Sequence, residues 1–151
     1  GNLLAGDPGS KEAFLHRAMY ETRPKAGAIV HLHSTHSAAV SCLCGLDPAN
    51  CIPPLTPYFI MKIGQLPLVP YHRPGDKALG EVIKTLAAKH SAVLLANHGP
   101  VVSGPDLEGA IYASEELEEA AKIFLLVGNR PVNCLNAEQI DDLKQAFKLD
   151  F

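Results

Sequence analysis

The chain has 151 residues, a formal net charge of −3, 47% apolar residues and 19% charged residues. This length and composition predict one globular domain, residues 1–151, with enough apolar side chains to bury a substantial core. The charge gives no reason to expect nucleic acid or an anionic membrane as a partner, and no apolar run approaches the length of a membrane span.

The N-terminal region and the cysteines favour a cytoplasmic protein. No signal peptide is visible, although a chain that begins at Gly1 without a Met could lack a preceding segment. The cysteines have neither zinc-finger nor thioredoxin spacing. We therefore expect buried free thiols rather than disulfides or soft-metal ligands at Cys42, Cys44, Cys51 and Cys134.

The first helix is predicted to begin near Ser10, as the N-cap residue, and to end before Pro24. Its apolar residues recur at helical spacing and form a buried stripe of Phe14, Leu15, Ala18 and Met19. Glu12 falls in the first turn, where the helix dipole alone would favour a carboxylate. Ser10 and the free backbone N–H groups of this turn form a candidate phosphate site.

Two histidines follow the apolar run at residues 28–30. In a strand, residues i and i+2 point to the same face, so His31 and His33 should project together, with Leu32 buried behind them. Two imidazoles at the end of a strand make half of a divalent metal site. The alternative is one satisfied core histidine and one exposed histidine.

The next segment is predicted as a helix over residues 34–44. His36, in its first turn, is expected either to support the metal ligands from outside or to be structural, and not to be a ligand itself. An irregular, proline-rich connection follows at 45–57, and then an apolar segment of undetermined type at 58–63. Residues 66–71 are predicted as an edge strand because proline cannot donate to a sheet. The inward face of the helix is predicted to consist of Ala38, Ala39, Cys42 and Leu43.

The second half of the chain contains a predicted amphipathic helix over residues 77–90 and a buried strand over 92–96. Gly99-Pro100 predicts a turn, after which residues 101–103 return as an antiparallel strand. His98 therefore lies at the exit of a buried strand. Three histidines at strand ends, completed by a carboxylate or water, are the pattern of a catalytic zinc site. The alternative is a histidine that only caps its strand.

The longest predicted helix covers residues 107–127 and has an acidic face. We expect this face to be solvated, with Glu118 and Lys122 forming an i,i+4 pair. A last helix should begin with a capping box at Asn136 and Gln139. Because helices alternate with strands and no repeat is present, the sequence predicts a layered α/β domain.

Four motifs together resemble the class II aldolase/adducin family: Ser-Lys-Glu at 10–12, the helix with His16, the His31-Leu-His33 strand, and Asn97-His98-Gly99. The resemblance covers nearly the whole chain, and it implies a three-layer α/β/α sandwich around a mixed, largely antiparallel sheet. It also implies a homotetramer with sites at subunit interfaces. The family's N-terminal segment, with further phosphate-binding residues, is missing from this chain.

The resemblance also implies roles for site residues. The positions of His31, His33 and His98 hold a catalytic zinc ion, or another divalent metal, in that family. The position of Glu12 is the acid/base, which also ligates the metal when no substrate is bound. Tyr58 matches a tyrosine that reaches the neighbouring subunit's site in the aldolases, although an ordinary interface or core aromatic fits the sequence equally well.

Within the family, residues 11–20, 30–37 and 95–102 are most similar to the decarboxylases of 3-oxo-tetronate 4-phosphates. This similarity implies a lyase of carbohydrate metabolism that releases CO₂ and dihydroxyacetone phosphate through a metal-stabilised enediolate. Lys11, where the fuculose phosphate aldolases have a serine, would bind phosphate or the substrate carboxylate. The alternatives are a sugar-phosphate aldolase of the L-fuculose-1-phosphate type, a ribulose-phosphate 4-epimerase and a non-catalytic adducin-like scaffold.

Overall fold

The computed structural model describes residues 3–149 and 151, and this part of the chain contains six helices and four strands. The predicted mixture of helices and strands along the chain is confirmed, although two pairs of helices and one pair of strands follow each other directly. None of the described helices combines the length and the apolar character needed to cross a membrane. In chain order the elements are α1 (Ala13–Thr22), β1 (Ala28–His31), α2 (Thr35–Ser41), α3 (Pro57–Lys62), β2 (Leu68–Val69), α4 (Ala78–Ala87), β3 (Ala92–Leu95), β4 (Gly99–Gly104), α5 (Leu107–Val127) and α6 (Ala137–Phe147).

The strands form one sheet in the order β1-β4-β3-β2. Strand β4 pairs antiparallel with both β1 and β3, whereas β2 runs parallel to β3 at the edge of the sheet. The edge position of β2 agrees with the prediction from Pro67 and Pro70. Because β1 and β4 are antiparallel, the end of β1 lies beside the start of β4, and this region carries the predicted histidines.

Helices cover both faces of the sheet. Alternate side chains of β3 point to opposite faces: Leu94 belongs to the same buried cluster as Leu117 of α5, and Val93 to the same buried cluster as Leu15 of α1. A strand that is buried on both sides reads as a continuous apolar run, as residues 92–96 do. The result is a three-layer α/β/α sandwich around a mixed, largely antiparallel sheet, as the resemblance implied.

Three of the six described helices start at a residue whose side chain caps the helix. In α5, which has the predicted bounds, the Asp106 side chain accepts a hydrogen bond from the Gly109 N–H at 2.7 Å. Asn136 forms the predicted capping box at the start of α6. The segment of undetermined type is helix α3, where Thr56 is the N-cap and Pro57 occupies the first turn.

Two helix predictions are wrong in detail. Helix α1 begins at Ala13, so Glu12 is its N-cap residue, and Ser10 lies in the preceding turn. Helix α2 buries a face that is rotated relative to the predicted one, because small polar side chains find hydrogen-bond partners there. Apolar periodicity cannot detect such a face, which consists of Ser37, Val40 and Ser41.

The expected burial of the cysteines is correct for Cys51 and wrong for the other three, which are exposed free thiols. Leu32 was also expected to be buried but is 50% exposed. It follows the last residue of β1, at the edge of the sheet, and lines an open groove together with Ile111 of α5.

Candidate metal centre

The structure brings four of the predicted site residues together: Glu12, His31, His33 and His98. Each offers one ligand atom, and these atoms all lie within 4.8 Å of one another. Three elements converge here, since Glu12 precedes α1, His31 ends β1, and His98 lies in the turn between β3 and β4. The donor set of three imidazoles and a carboxylate is one that divalent transition metals prefer.

His31 presents an unprotonated nitrogen to the centre of the cluster. Its Nδ1 lies 2.8 Å from the carbonyl oxygen of Pro100. A carbonyl only accepts, so Nδ1 carries the proton and Nε2 carries a lone pair. This Nε2 is the one buried side-chain nitrogen or oxygen in the described part of the chain that has no hydrogen-bond partner. A metal ion is the partner that such a nitrogen fits, because the hydrogen bond to Pro100 fixes the ring for coordination.

The Glu12 carboxylate faces two of the histidines. Its oxygens lie 3.4 Å from Nε2 of His31 and 3.2 Å from Nε2 of His98. The lone pair of His31 and the carboxylate oxygen repel each other, and a cation between them would remove that repulsion. Glu12 is the N-cap residue of α1, so the start of this helix positions its side chain.

His33 and His98 come into contact because two backbone segments cross closely. Their Nε2 atoms are 2.8 Å apart. Gly99 starts β4 directly beneath the Leu32–His33 segment, and a Cβ at this glycine would lie 2.4 Å from the Leu32 carbonyl oxygen. The prediction of a turn at Gly99-Pro100 is therefore wrong: residues 96–98 form the turn, with Asn97 at a φ of 57°.

Burial lowers the pKa of His31 and of His98 below the usual histidine value. Both rings are therefore neutral near pH 7, which is the form that binds a metal. Only 4% of the His31 side chain is exposed, whereas the Glu12 side chain is 26% exposed. The cluster is thus anchored on the buried side chain of His31 and opens toward solvent at His33, which is exposed, and at the half-buried Glu12.

The other predicted site residues lie outside this cluster. Ser10 and Lys11 form the exposed turn before α1, where the Ser10 hydroxyl accepts a hydrogen bond from the Glu12 N–H at 3.3 Å. Tyr58 lies on α3 and is 63% exposed. Any role for these residues therefore depends on a substrate or on another subunit.

Sequence reasoning missed the contacts of Glu118, which was expected on a solvated face in a pair with Lys122. That pair is wrong, because Lys122 lies 3.4 Å from Glu119 instead. Its carboxylate accepts hydrogen bonds from the backbone N–H groups of His36 and Ser37 at the start of α2, and also from both side chains. Burial acts to raise the pKa of Glu118, but these hydrogen bonds outweigh it and hold the pKa below its usual value. The sequence contained one signal. The first turn of α2 has no acidic residue of its own, so its free N–H groups need an acceptor from another part of the chain.

Ser41 was also missed as a polar contact of the cluster. Its hydroxyl accepts a hydrogen bond from the backbone N–H of His98 at 3.1 Å. Its backbone carbonyl accepts a second one from the N–H of Asn97 at 3.1 Å. No local pattern indicates these contacts, since the partners are more than 50 residues apart in the chain.

Known proteins share this arrangement of sequence and fold. Residues 1–125 match the family model described as the class II aldolase and adducin N-terminal domain. The chain is 51% identical to the 3-oxo-tetronate 4-phosphate decarboxylase of Escherichia coli strain K12 over 144 residues, covering 95% of this chain and 68% of that protein. Proteins of the same name from other bacterial strains are 43–51% identical.

A solved structure and a second class of relative are also similar to this chain. The crystal structure of YgbL from Escherichia coli has a TM-score of 0.92 and 50% identity, covering 95% of this chain and 70% of that one. The L-fuculose phosphate aldolase of Escherichia coli strain K12 is 34% identical over 143 residues, covering 92% of this chain and 64% of that protein. Sequence, fold and the histidine cluster thus lead to one conclusion: the chain belongs to the class II aldolase and adducin family.

Proposed function

We propose that this chain is a metal-dependent carbon–carbon lyase that converts a 3-oxo-tetronate 4-phosphate into dihydroxyacetone phosphate and CO₂. The metal-dependent class rests on the unpartnered, buried Nε2 of His31 beside three further ligand groups. The choice of reaction rests on similarity, because identity is 51% to a decarboxylase of this substrate and 34% to the L-fuculose phosphate aldolase.

In this proposal His31, His33 and His98 hold the metal, and Glu12 completes the set only while no substrate is bound. Zinc is an ion that suits this donor set. When bound, the cation supplies Lewis-acid polarisation of substrate oxygens and stabilises negative charge beside them. The histidines keep the site ready for the ion, since the bond from His31 to Pro100 fixes both tautomer and ring orientation.

Glu12 acts as the proton donor. Decarboxylation breaks the bond between C1 and C2 of the substrate, CO₂ leaves, and the electron pair stays on C2. The carboxyl group of Glu12, in its acid form, then gives its proton to C2, and the product is dihydroxyacetone phosphate. The position of Glu12 supports this role, because it lies beside the histidines on the side of the cluster that opens to solvent.

Ser10 and Lys11 bind the anionic groups of the substrate. The Lys11 ammonium is exposed one residue before Glu12, so it can pair with a phosphate or carboxylate while Glu12 faces the reacting carbon. The Ser10 hydroxyl and the backbone N–H groups of this turn are further donors to a phosphate.

A sugar-phosphate aldolase is the second candidate, favoured by the 34% identity to the L-fuculose phosphate aldolase. An aldol cleavage leaves an electron pair on the equivalent carbon after an aldehyde departs. The same four side chains would therefore serve both reactions, and the departing group distinguishes them.

The proposal includes a homotetramer in the cytoplasm, with Tyr58 of one subunit near the site of its neighbour. The exposure of Tyr58 on α3 is compatible with this role, because the side chain is free to meet another copy of the chain.

The decisive experiment measures metal content together with products. We expect about one divalent ion per chain, and CO₂ with dihydroxyacetone phosphate from 3-oxo-tetronate 4-phosphates of one configuration. The replacement His98→Ala should abolish both metal binding and turnover. Release of lactaldehyde from L-fuculose 1-phosphate, without CO₂ from any keto acid, would favour the aldolase. Absence of bound metal and of turnover would overturn the proposal.

A further inference from the structure

Helix α2 connects two of the proposed metal ligands. At its start, His33 is followed directly by Ser34, the N-cap residue of the helix. At its end, Ser41 accepts hydrogen bonds from the backbone of Asn97 and His98, each at 3.1 Å. The helix therefore spans the distance between the segment that carries His33 and the turn that carries His98.

The Ser41 hydroxyl has a fixed orientation. It donates its proton to the carbonyl of Ala38 at 2.7 Å, so a lone pair remains for the N–H of His98. The residue is only 4% exposed, which leaves water little room to replace it. Because Asn97 adopts a left-handed conformation, this turn benefits from a partner that fixes the backbone on both sides of it.

Glu118 fixes the other end of α2. Ser34 makes no side-chain cap, so the first N–H groups of the helix need another acceptor. One oxygen of Glu118 accepts from the N–H of His36 at 2.7 Å and from its ring Nδ1 at 2.9 Å. The other accepts from the N–H of Ser37 at 2.9 Å and from its hydroxyl at 2.7 Å.

We infer that Glu118 and Ser41 are positioning residues, which hold His33 and His98 within reach of one cation by fixing the two ends of α2. The inference rests on the proposed function, since it assumes that the histidines bind a metal. Neither side chain is one of the four groups that would bind the metal. Their effect passes through the helix, with α5 as the rigid support for Glu118.

The test is Co²⁺ binding to the metal-free chain, followed by visible absorption, together with thermal unfolding in the presence of a chelator. Glu118→Gln replaces one accepting oxygen by an NH₂ group and so removes two of the four hydrogen bonds. Ser41→Ala removes the acceptor for His98. We expect each variant to bind Co²⁺ about 10–100-fold more weakly, with an altered spectrum, as outer contacts of metal ligands do when removed.

The matched control is Glu119→Gln, which makes the same chemical change one residue further along α5. Within the described residues, Glu119 pairs only with nearby Lys122, at 3.4 Å, so this variant should bind Co²⁺ like the original chain. Should Glu118→Gln not fold, Ser37→Ala, which removes one of the four bonds, replaces it and should weaken Co²⁺ binding by a smaller factor.

The outcomes separate the two hypotheses. If the original chain binds no Co²⁺, the proposed metal centre fails. If it binds Co²⁺ and the folded variants bind it equally well with the same spectrum, only the positioning roles fail. A lower unfolding temperature of the metal-free variants with unchanged Co²⁺ affinity has the same meaning, because it indicates purely structural contacts.

Discussion

The position of the single residue Glu12 has two possible explanations, one structural and one catalytic. A carboxylate at the N-terminus of α1 is favoured by the helix dipole, yet its oxygens also lie within 3.4 Å of two histidine nitrogens. A residue that only complements a dipole has no need of such neighbours. If Glu12 is the proton donor, turnover requires its acid group, whereas a residue that only complements the helix dipole is not required for turnover.

Replacing Glu12 by Gln tests this difference. Glutamine has the same size and shape, so we expect an unchanged circular dichroism spectrum and a turnover number lower by about 10²–10⁴-fold, because the acid is lost. The matched control is Glu138→Gln, which removes a carboxylate from the first turn of α6 and should leave turnover unchanged. Equal turnover in Glu12→Gln and the original chain would reduce Glu12 to a dipole residue.

Individual residues also mark the limit of sequence reasoning. The histidines were found because strand periodicity places His31 and His33 at one strand end, and because His98 repeats the pattern. Glu118 was misplaced, since helical periodicity records which face is apolar but not which acidic residue finds a partner 82 positions earlier. Ser41 was missed for the same reason: a small hydroxyl residue has no distinctive pattern of its own.

At the scale of elements, the crossing of β4 beneath the Leu32–His33 segment determines how the cluster closes. The register aligns His31 with Val101, so the chain after His31 passes directly over Gly99. Glycine is needed here for close approach of two backbones, rather than for a turn. The sequence suggested a turn because Gly-Pro usually breaks structure, and only the strand pairing reveals the contact.

Gly99→Ala should therefore lower the free energy of unfolding by about 1–3 kcal/mol, the usual penalty for overpacking. The added Cβ would lie 2.4 Å from the Leu32 carbonyl oxygen, so the segment carrying His33 must move. Urea unfolding measures the effect. Gly80→Ala, within helix α4, is the control. Among the described residues its Cβ would meet only the Phe14 side chain of α1, at 3.5 Å, and the free energy of unfolding should rise by about 0.5–1 kcal/mol. Equal stability of Gly99→Ala and the original chain would contradict the close contact.

Helices α1 and α4 are joined by an ion pair with a predictable pH dependence. Lys84 of α4 binds Glu21 of α1 at 2.8 Å, and Arg17 binds the same carboxylate. These partners lower the pKa of Glu21 from 4.5 to about 2. Since the folded value lies below the unfolded one, the stabilisation is fully present above pH 4.5 and is lost as the pH falls toward 2.

The difference in unfolding free energy between the original chain and Glu21→Gln should thus shrink as the pH is lowered through this range. This difference in unfolding free energy should be small at every pH, because the ion pair is exposed to solvent. Urea unfolding at several pH values measures it. In a Lys84→Met background the pH-dependent part should become smaller but persist, because Arg17 still binds the Glu21 carboxylate. A difference that stays constant with pH in the original background would contradict the assignment.

At the scale of the whole molecule, the layering was predictable and the surroundings of the site were less so. Apolar runs such as residues 92–96 indicate strands covered on both faces, and the intervening amphipathic helices supply the cover. The exposure of Leu32 was not predictable, because it depends on β1 lying at an edge of the sheet rather than in the middle. Strand order is a long-range property that local periodicity does not contain.

The proposed role of Tyr58 concerns the assembled protein, because it requires the site of a neighbouring subunit. Tyr58 lies on α3 with 63% of its surface exposed, and it is not one of the four ligand groups of its own chain. In an aldol reaction a tyrosine beside the site can exchange a proton with the oxygen of the departing aldehyde. Loss of CO₂ requires no such acid, so the identity of the reaction determines how much this hydroxyl contributes.

For a decarboxylase, Tyr58→Phe should lower the turnover number less than tenfold, which corresponds to under about 1.4 kcal/mol of activation barrier. The phenyl ring keeps the apolar contact area, so light scattering should give the same oligomeric state and metal analysis the same content. Tyr71→Phe, at a tyrosine of similar exposure outside α3, is the control for nonspecific effects of losing a surface hydroxyl. A thousandfold loss confined to Tyr58→Phe, with assembly and metal unchanged, would argue against decarboxylation and for aldol chemistry.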